Sequence, residues 1–439
     1  MAAPPPTVRL SWGRVPYPPP SDVVEPLSRS AALRLRPDLT YAPRGNGRSY
    51  GDSCLNPGAG LIETRHLDRF IGWDTQLGLL KCEGGTQLSE IIRFALPQGW
   101  FLPVTPGTKY VTVGGAIAND VHGKNHHVAG TFAHHVDAFD LLRSDGDLNE
   151  TTRASNADRF AATVGGLGLT GLIVSATLRL KRVEGPWLEQ QAVRFRSLDE
   201  FFEVDAALKP RHEYTVAWVD CVATGVERGR GLYMAADHAG HHPEVRIRRA
   251  GLRVPFDPPV SLVSPSTLRV FNWLYYHRPR QSGRRLIHYE KMFYPLDGVL
   301  EWNRIYGPHG FHQFQCVVPP AASRSAVSAV LDLIAEHRSG SFLAVLKTFG
   351  ERPSEGFLSF PRPGTTFALD FPEHGERTRR LFSEMEAVVI DHGGALYPAK
   401  DGLMSAAAFK AGFPVWSRMR AHVDPRFSSQ FARRVGLVV

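Results

Sequence analysis

The sequence predicts an α+β fold in two parts, and three observations carry that expectation. Strand-like and helix-like stretches alternate up to about residue 182; glycine-rich loops stand at their ends, where ligand clefts form; and from Gly185 and Pro186 onward the composition shifts toward aromatic-rich strand candidates. At 439 residues with 43% hydrophobic content the chain can bury sizeable cores, and its length suits about two or three domains.

The elements follow in order. The opening MAAPPPTVRLSWGRVPYPPPS has prolines where a secretion signal would need an apolar core, so an extended lead-in is expected, ordered where it packs on the body. Arg44 to Asp52, RGNGRSYGD, is a glycine-punctuated loop carrying two arginines. Leu77 to Cys82 reads as a strand ending at Gly84 and Gly85. Gln87 to Leu96 then places Leu88, Ile91, Ile92, Ala95 and Leu96 on one helical face, closed by Pro97 and Gly99. Asp140 to Leu148 reads as a hairpin with Asp145 and Gly146 as its two-residue turn. Within Gly165–Gly171, GGLGLTG, three glycines match the dinucleotide fingerprint, but the β-branched run that follows, Leu172 to Arg182, is a strand where that fingerprint requires a helix.

The second half offers strands at Tyr214–Cys221 and Phe311–Val318 and a helix from Ala321 to His337. Between those strands Asp237 to Arg285, with Pro243, DPPV and SPS, reads as irregular surface chain; a functional role for it would be a lid over a substrate mouth.

Val111 to Gly130, VTVGGAIANDVHGKNHHVAG, is the stretch with most chemistry. Gly114 and Gly115 remove side chains where backbone must approach a ligand, Gly123 and Gly130 are expected at positive φ, and His122, Lys124, His126 and His127 cluster nitrogen groups beside them. Backbone N–H groups flanked by such donors suit a diphosphate; the competing reading is a glycine-rich turn beside solvated histidines.

Composition narrows the classes. No run of eighteen apolar residues exists, so no membrane span is expected. Cys54, Cys82, Cys221 and Cys316 lie far apart without a CxxC pair, which argues for reduced thiols and against a zinc site; no metal is expected. The formal charge of +8, dense at Arg246, Arg248, Arg249 and Arg253 and again at Arg278, Arg280, Arg284 and Arg285, comes without any nucleic-acid module. It suits a lipid phosphate at a membrane surface, or a merely solvated basic face.

These residues carry a resemblance. GRSYGD, PGTKYVTVGGAIANDVHGKNHH from Pro106 to His127, and ATVGGLGLTG from Ala162 to Gly171 resemble the vanillyl-alcohol-oxidase, or PCMH-type, FAD-binding family. FYPLDGVLEWNRIYGPHGFHQFQ, SFLAVLKTFG and ALYPAKDGLM extend the resemblance, more narrowly to the decaprenylphosphoryl-β-D-ribose oxidases, over nearly the whole chain. It implies a discontinuous FAD-binding domain, residues 1–185 and 395–439, around a substrate-binding domain with an antiparallel sheet, residues 186–394.

The resemblance also implies how FAD is held. In the first loop the matching positions are Pro43, Arg44, Gly45, Asn46, Gly47 and Arg48, followed by Ser49, Tyr50, Gly51, Asp52 and Ser53. Further on they are Gly107, then Thr112, Val113, Gly114 and Gly115, then Asn119, Asp120, Val121 and His122, and finally Ile173 and Tyr397. Some relatives attach the flavin through a histidine where Arg48 stands; arginine cannot form that bond, so non-covalent FAD is expected. Ala368 stands where mycobacterial relatives have cysteine, which removes thiol chemistry there.

Oxidising a secondary alcohol requires a hydride acceptor at near contact and a base for the hydroxyl proton; lysine serves as base when burial or a neighbouring cation lowers its pKa. Lys400 in YPAKDG is the first candidate and Lys347 in VLKTFG the second, with Gln315 at another matching active-site position and Tyr50, His122 and Lys124 facing both flavin and sugar. The plainer readings are a surface role for Lys400 between Ala399 and Asp401, a satisfied core amide for Gln313 or Gln315, and core packing for Trp218, Phe360 and Tyr294.

The resemblance implies oxidation of the ribose 2′-hydroxyl of a polyprenylphosphoryl-β-D-ribose to the 2-keto sugar, with a separate short-chain NADH-dependent reductase completing epimerisation to the arabinose donor for cell-envelope polysaccharide. The expected location is cytoplasmic or peripheral at the inner membrane, either face. The alternatives are an aldose, alditol or sugar-lactone oxidase of the same superfamily, and a non-catalytic partner that binds lipid-linked sugar.

Overall fold

The computed structural model describes residues 9–240, 252–277 and 284–438. The first half is built on a small parallel sheet and a larger antiparallel one. Gly60–Glu63 pairs in parallel with both Asp22–Val24 and Tyr41–Arg44, and the latter strand delivers the chain into the Arg44–Asp52 loop. The five-stranded sheet runs in the order Phe70–Asp74, Leu79–Glu83, Leu172–Arg179, Val136–Leu142, Leu148–Thr152, every pair antiparallel.

The helix Leu88–Ala95 packs on this sheet as its apolar spacing requires, burying Leu88, Ile91, Ile92 and Ala95 with Leu80 and Cys82. The Gln87 N–H donates to the Glu90 carboxylate at 2.9 Å, half of a capping box, and Gly99 in the left-handed region (φ 79°) ends the turn that follows.

The second half is organised by an eight-stranded sheet in which Tyr214–Val219, Val345–Phe349, Gly364–Pro372 and Phe311–Val318 are consecutive neighbours, antiparallel throughout. Its register decides what faces where. Gln315 stands opposite Ala368 and Gln313 opposite Asp370, while Lys347 stands opposite Thr366, so these polar residues share one face. The intervening Phe314, Cys316, Leu346, Phe367 and Leu369 take the other face, buried against the helices Ser323–Glu336 and Glu376–Asp391.

After Ala395–Leu396, which extends the sheet edge beside Phe311–Val318, the chain crosses to the first half. There the Ser428 and Gln430 N–H groups donate to the Tyr41 and Leu55 carbonyls, and Arg434 pairs with Asp52 and Asp401. All four cysteines are buried and unpaired.

Several local expectations give way. The hairpin joins Val136–Leu142 to Leu148–Thr152 through five residues rather than two: the type I′ turn that Asp-Gly would form needs positive φ at both residues, whereas only Gly146 has it (φ 89°) and the Asp145 carboxylate accepts the Asp147 N–H at 2.9 Å. The strand expected through Arg182 stops at Arg179, because the Leu180 N–H turns out of the ladder to Gly78 O, and Lys181–Arg182 pairs instead with Trp100–Phe101.

Gly130 is left-handed (φ 72°) but Gly123 is not; what Gly123 supplies is room, since a Cβ there would lie 2.7 Å from Asn125 Oδ1. The stretch read as irregular contains the helix Pro265–His277: the SPS that looked like a loop signal is its start, with Ser264 and Thr267 exchanging hydrogen bonds and Pro265 in the first turn, where it forfeits no bond. Arg246, Arg248, Arg249, Arg278 and Arg280 lie outside the described residues.

Candidate active site

One cleft runs between the two sheets, holding about 2300 Å³ of space free of protein atoms, its open mouth included. Three turns form its glycine-rich wall. Gly45 of the first loop approaches Thr112 so closely that a Cβ would lie 2.3 Å from Thr112 Oγ1. Gly84 and Gly114 weld the short helix Val113–Ala118 to the strand ends: the Gly114 N–H donates to Gly84 O at 2.7 Å, and a Cβ on Gly84 would meet Ile173 O at 2.0 Å. Leu167, Gly168, Gly171 and Leu172 complete the wall, so the glycines of GGLGLTG serve this cleft without a following helix.

Most of the positions picked out in the sequence line this space. Pro43 to Tyr50, Ser53, Gly107, Thr112, Gly114, Gly115, Asn119, Val121, His122, Ile173 and Tyr397 do so, as do Lys124, Gln315, Lys347 and Lys400. Gly51, Asp52, Val113 and Asp120 stand behind the lining. Gly51 abuts the Asp401 backbone, Asp52 bonds Arg434, Val113 belongs to the core, and buried Asp120 accepts from Ser359 Oγ at 2.6 Å and from the Ala133 N–H.

At the sheet end of the cleft His122 is the hub. Gln315 Nε2 lies 3.1 Å from its Nε2 and also donates to Thr366 Oγ1, while Lys347 Nζ lies 2.8 Å from its Nδ1 and donates to Gly123 O at 2.9 Å. Gln315 and Lys347 thus hold the two ring nitrogens of a neutral imidazole from opposite sides. Electrostatics agrees. Burial, and then the Lys347 charge, holds His122 well below its ordinary pKa; burial, then Lys124 and Lys400, holds Lys347 well below its own.

Across from this hub the Lys400 amine stands 3.9 Å from the centre of the Tyr50 ring, a cation–π contact, and burial lowers its pKa to about 8. Lys124 donates to Phe293 O at 3.1 Å and is lowered to about 8 by burial as well. Tyr397 donates to Asn119 O at 2.9 Å with its ring stacked on Phe360. Phe360 and Tyr294 are core residues, but Trp218 lines the cleft and packs edge-on against Tyr275 of the Pro265–His277 helix.

The chain matches the family model described as FAD binding domain over residues 25–152. It is 36% identical to decaprenylphosphoryl-beta-D-ribose oxidase of Mycolicibacterium smegmatis over 416 residues, 90% of this chain and 89% of that one. The chain belongs to the decaprenylphosphoryl-β-D-ribose oxidase family. It is an FAD-dependent oxidoreductase. An uncharacterized protein of Streptomyces coelicolor is 35% identical over 80% of this chain and 100% of its own length, and human Delta(24)-sterol reductase is 30% identical over 24% of this chain and 21% of its own.

The walls fit the cofactor of this oxidase family. The glycine turns expose backbone along the cleft, and among the described residues Arg48 Nε, Ser53 Oγ and Asn119 Oδ1 are buried polar atoms without a partner, all on residues lining it. Arg48 lies over Trp12, 4.2 Å from the ring centre, and 5.2 Å from the ring centre of Tyr110. Thr366, Lys291, Trp302 and Tyr275 also line the cleft and were not singled out in the sequence. Period-two alternation through TTFALDF was the available signal for Thr366; the other three sit on segments whose place at the mouth depends on tertiary packing.

Proposed function

We propose that the chain oxidises the ribose 2′-hydroxyl of a polyprenylphosphoryl-β-D-ribose to the 2-keto sugar, as the first half of an epimerisation to an arabinose donor for cell-envelope polysaccharide. The observation that carries this reading is Lys400: a lysine in the cleft walled by the glycine turns, whose amine is brought by burial to about 8 and so titrates near neutral pH. The residues of the glycine turns would hold FAD, and the chemistry supplied there would be acceptance of a hydride from the sugar carbon. The proton of the same hydroxyl goes to the Lys400 amine. Tyr50, kept protonated because burial raises its pKa well above the ordinary value, orients that amine through its ring. Neutral His122, fixed by Gln315 and Lys347, presents a rigid polar edge to the sugar, and Lys124 supplies further positive charge near its hydroxyls.

The residues at positions 43–53, 107, 112–115, 119–122, 173 and 397 hold the FAD non-covalently, and residues 1–185 with 395–439 form the domain that carries it around a substrate-binding domain of residues 186–394. Binding is dissociable because Arg48 offers no bond to the flavin. Colour released into solution on acid or heat denaturation is the expected result, whereas colour retained by the precipitate overturns it. A short-chain NADH-dependent reductase takes the keto sugar onward.

Peripheral association with the inner membrane is part of this reading. Val270, Phe271, Trp273 and Leu274 are exposed on the Pro265–His277 helix, Leu252, Phe256, Val260 and Leu262 are exposed just before it, and Tyr275 of the same helix lines the cleft. An apolar lip rimmed by Arg253 and Arg269 suits an anionic bilayer from which a lipid-linked sugar enters.

Anaerobic flavin bleaching tests the substrate. Loss of yellow colour with polyprenylphosphoryl ribose supports the assignment; bleaching by free aldoses, alditols or sugar lactones alone would move the protein to that group of oxidases, and purified protein without flavin would indicate a lipid-linked-sugar binding partner.

A further inference from the structure

Asp370 lies one step deeper than Ala368 and Thr366 on the same face of the Gly364–Pro372 strand, directly opposite Gln313. Its side chain is fully buried. Oδ1 accepts the Gln313 amide, which lines the cleft, and the Asp370 backbone is pinned by its N–H donating to Ser341 Oγ at 3.0 Å. Oδ2 has no hydrogen-bond partner among the described residues. A buried carboxylate oxygen left without a donor is costly unless a cation answers its charge. The cation that acts on Asp370 is Lys400, and Asp370 is in turn the charge that opposes the effect of burial on Lys400.

We propose that Asp370 is a positioning residue for the oxidation: its carboxylate, held behind Gln313, is the counter-charge that keeps the Lys400 ammonium in the cleft and sets the pH at which that amine becomes a base. The inference rests on the assignment of Lys400 as the acceptor of the sugar proton. The surrounding groups fix its sign. Lys400 faces the Tyr50 ring, and its charge acts on Lys347 and on His122, which burial keeps neutral; Asp370 accepts from Gln313, and its charge acts on Lys400 and on Tyr50 and Tyr306, both of which burial keeps protonated.

Burial raises the Asp370 carboxyl to about 7 and lowers the Lys400 amine to about 8, so the two titrate as one unit. When the substrate hydroxyl gives its proton to Lys400, the new ammonium forms beside a carboxylate instead of in an uncompensated cavity. Removing the carboxylate charge leaves burial unopposed and drives the amine pKa lower.

The test uses the holoenzyme without sugar. Competitive labelling of the Lys400 amine by acetic anhydride, followed across pH by peptide mass, is expected to show two inflections in the wild type, one for each member of the pair; a single inflection overturns the proposal. In Asp370→Asn the labelling curve, and the rising limb of the pH profile for flavin reduction, should both move to lower pH by about one unit, and Asp370→Glu should restore part of that shift. Curves that superimpose on the wild type would leave Asp370 a packing residue. Should Asp370→Asn lose its flavin, the wild-type labelling curve alone decides. Because labelling needs no sugar, a wrong substrate assignment shows only in the bleaching assay and leaves this result standing.

Discussion

Lys347 Nζ stands 2.8 Å from His122 Nδ1, and the pair closes a chain that runs from Thr366 through Gln315 and the imidazole to the Gly123 carbonyl. Each member fixes the protonation of the next, so removing Lys347 should release the ring. Lys347→Met is expected to raise the His122 pKa part of the way, because burial, the larger cause, stays in place, read by nitrogen NMR of the imidazole, and to slow flavin reduction by roughly 10–100-fold. An unmoved His122 resonance would sever this link.

Lys400→Ala should keep its flavin spectrum yet reduce the flavin roughly 10²–10⁴-fold more slowly with the lipid-linked sugar, the range for losing a general base. Stopped-flow absorbance under anaerobic conditions reads both quantities. Reduction at the wild-type rate would count against the amine as proton acceptor.

Gly51 cannot bear a side chain where it stands, because a Cβ would lie 1.5 Å from the Asp401 carbonyl oxygen and both partners are backbone. Gly51→Ala must therefore push the first loop away from the 397–402 segment. A loss of at least about 1–3 kcal/mol of stability is expected, with reduced flavin content, measured by thermal melts and by absorbance ratio. Retention of both would mean that the loop and this segment move independently.

Acid should destabilise the protein more steeply than carboxylate pairing would cause. Burial holds His122 well below its ordinary pKa, His126 at about 3, and His135 and His238 at about 4. The unfolded chain takes up those protons below about pH 6.5 while the folded chain refuses them, so this stability is fully present above that pH and is lost as the pH falls toward the folded values. Each histidine adds a slope of roughly 1.4 kcal/mol per pH unit inside its window. Urea melts between pH 7 and pH 5 test this; a flat stability profile would contradict it.

The exposed apolar residues of the Pro265–His277 helix give a surface prediction that leaves the core alone. Trp273→Glu combined with Leu274→Glu, both more than half exposed, should leave the melting temperature and flavin spectrum unchanged while weakening co-sedimentation with phosphatidylglycerol vesicles several-fold. Equal binding by both proteins would free this helix from any membrane role.

How much of this was legible beforehand depends on the range of the forces involved. The strand Phe311–Val318 was read at its observed limits, and the helix beginning after Gln87 within a residue, because alternation and helical spacing are local consequences of burying one face. The helix Pro265–His277 was missed because Ser, Pro and Ser make both a loop and a helix start, and only the Ser264–Thr267 exchange of hydrogen bonds separates the two. Lys400, flanked by Ala399 and Asp401, looked like a surface residue on local grounds and was singled out by resemblance alone.

The glycine turns, the antiparallel character of the second half and the FAD-binding family were thus determined by the sequence itself, since positive φ, side-chain absence and period-two burial are properties of short segments. Tertiary structure alone decided that Gln313 and Asp370 stand face to face, that Lys347 meets His122 across 225 residues, and that Lys400 shares a cleft with both. Those relations come from strand register and from the return of the chain after Leu396. The low dielectric that shifts each of these groups exists only once the distant segments have closed around them.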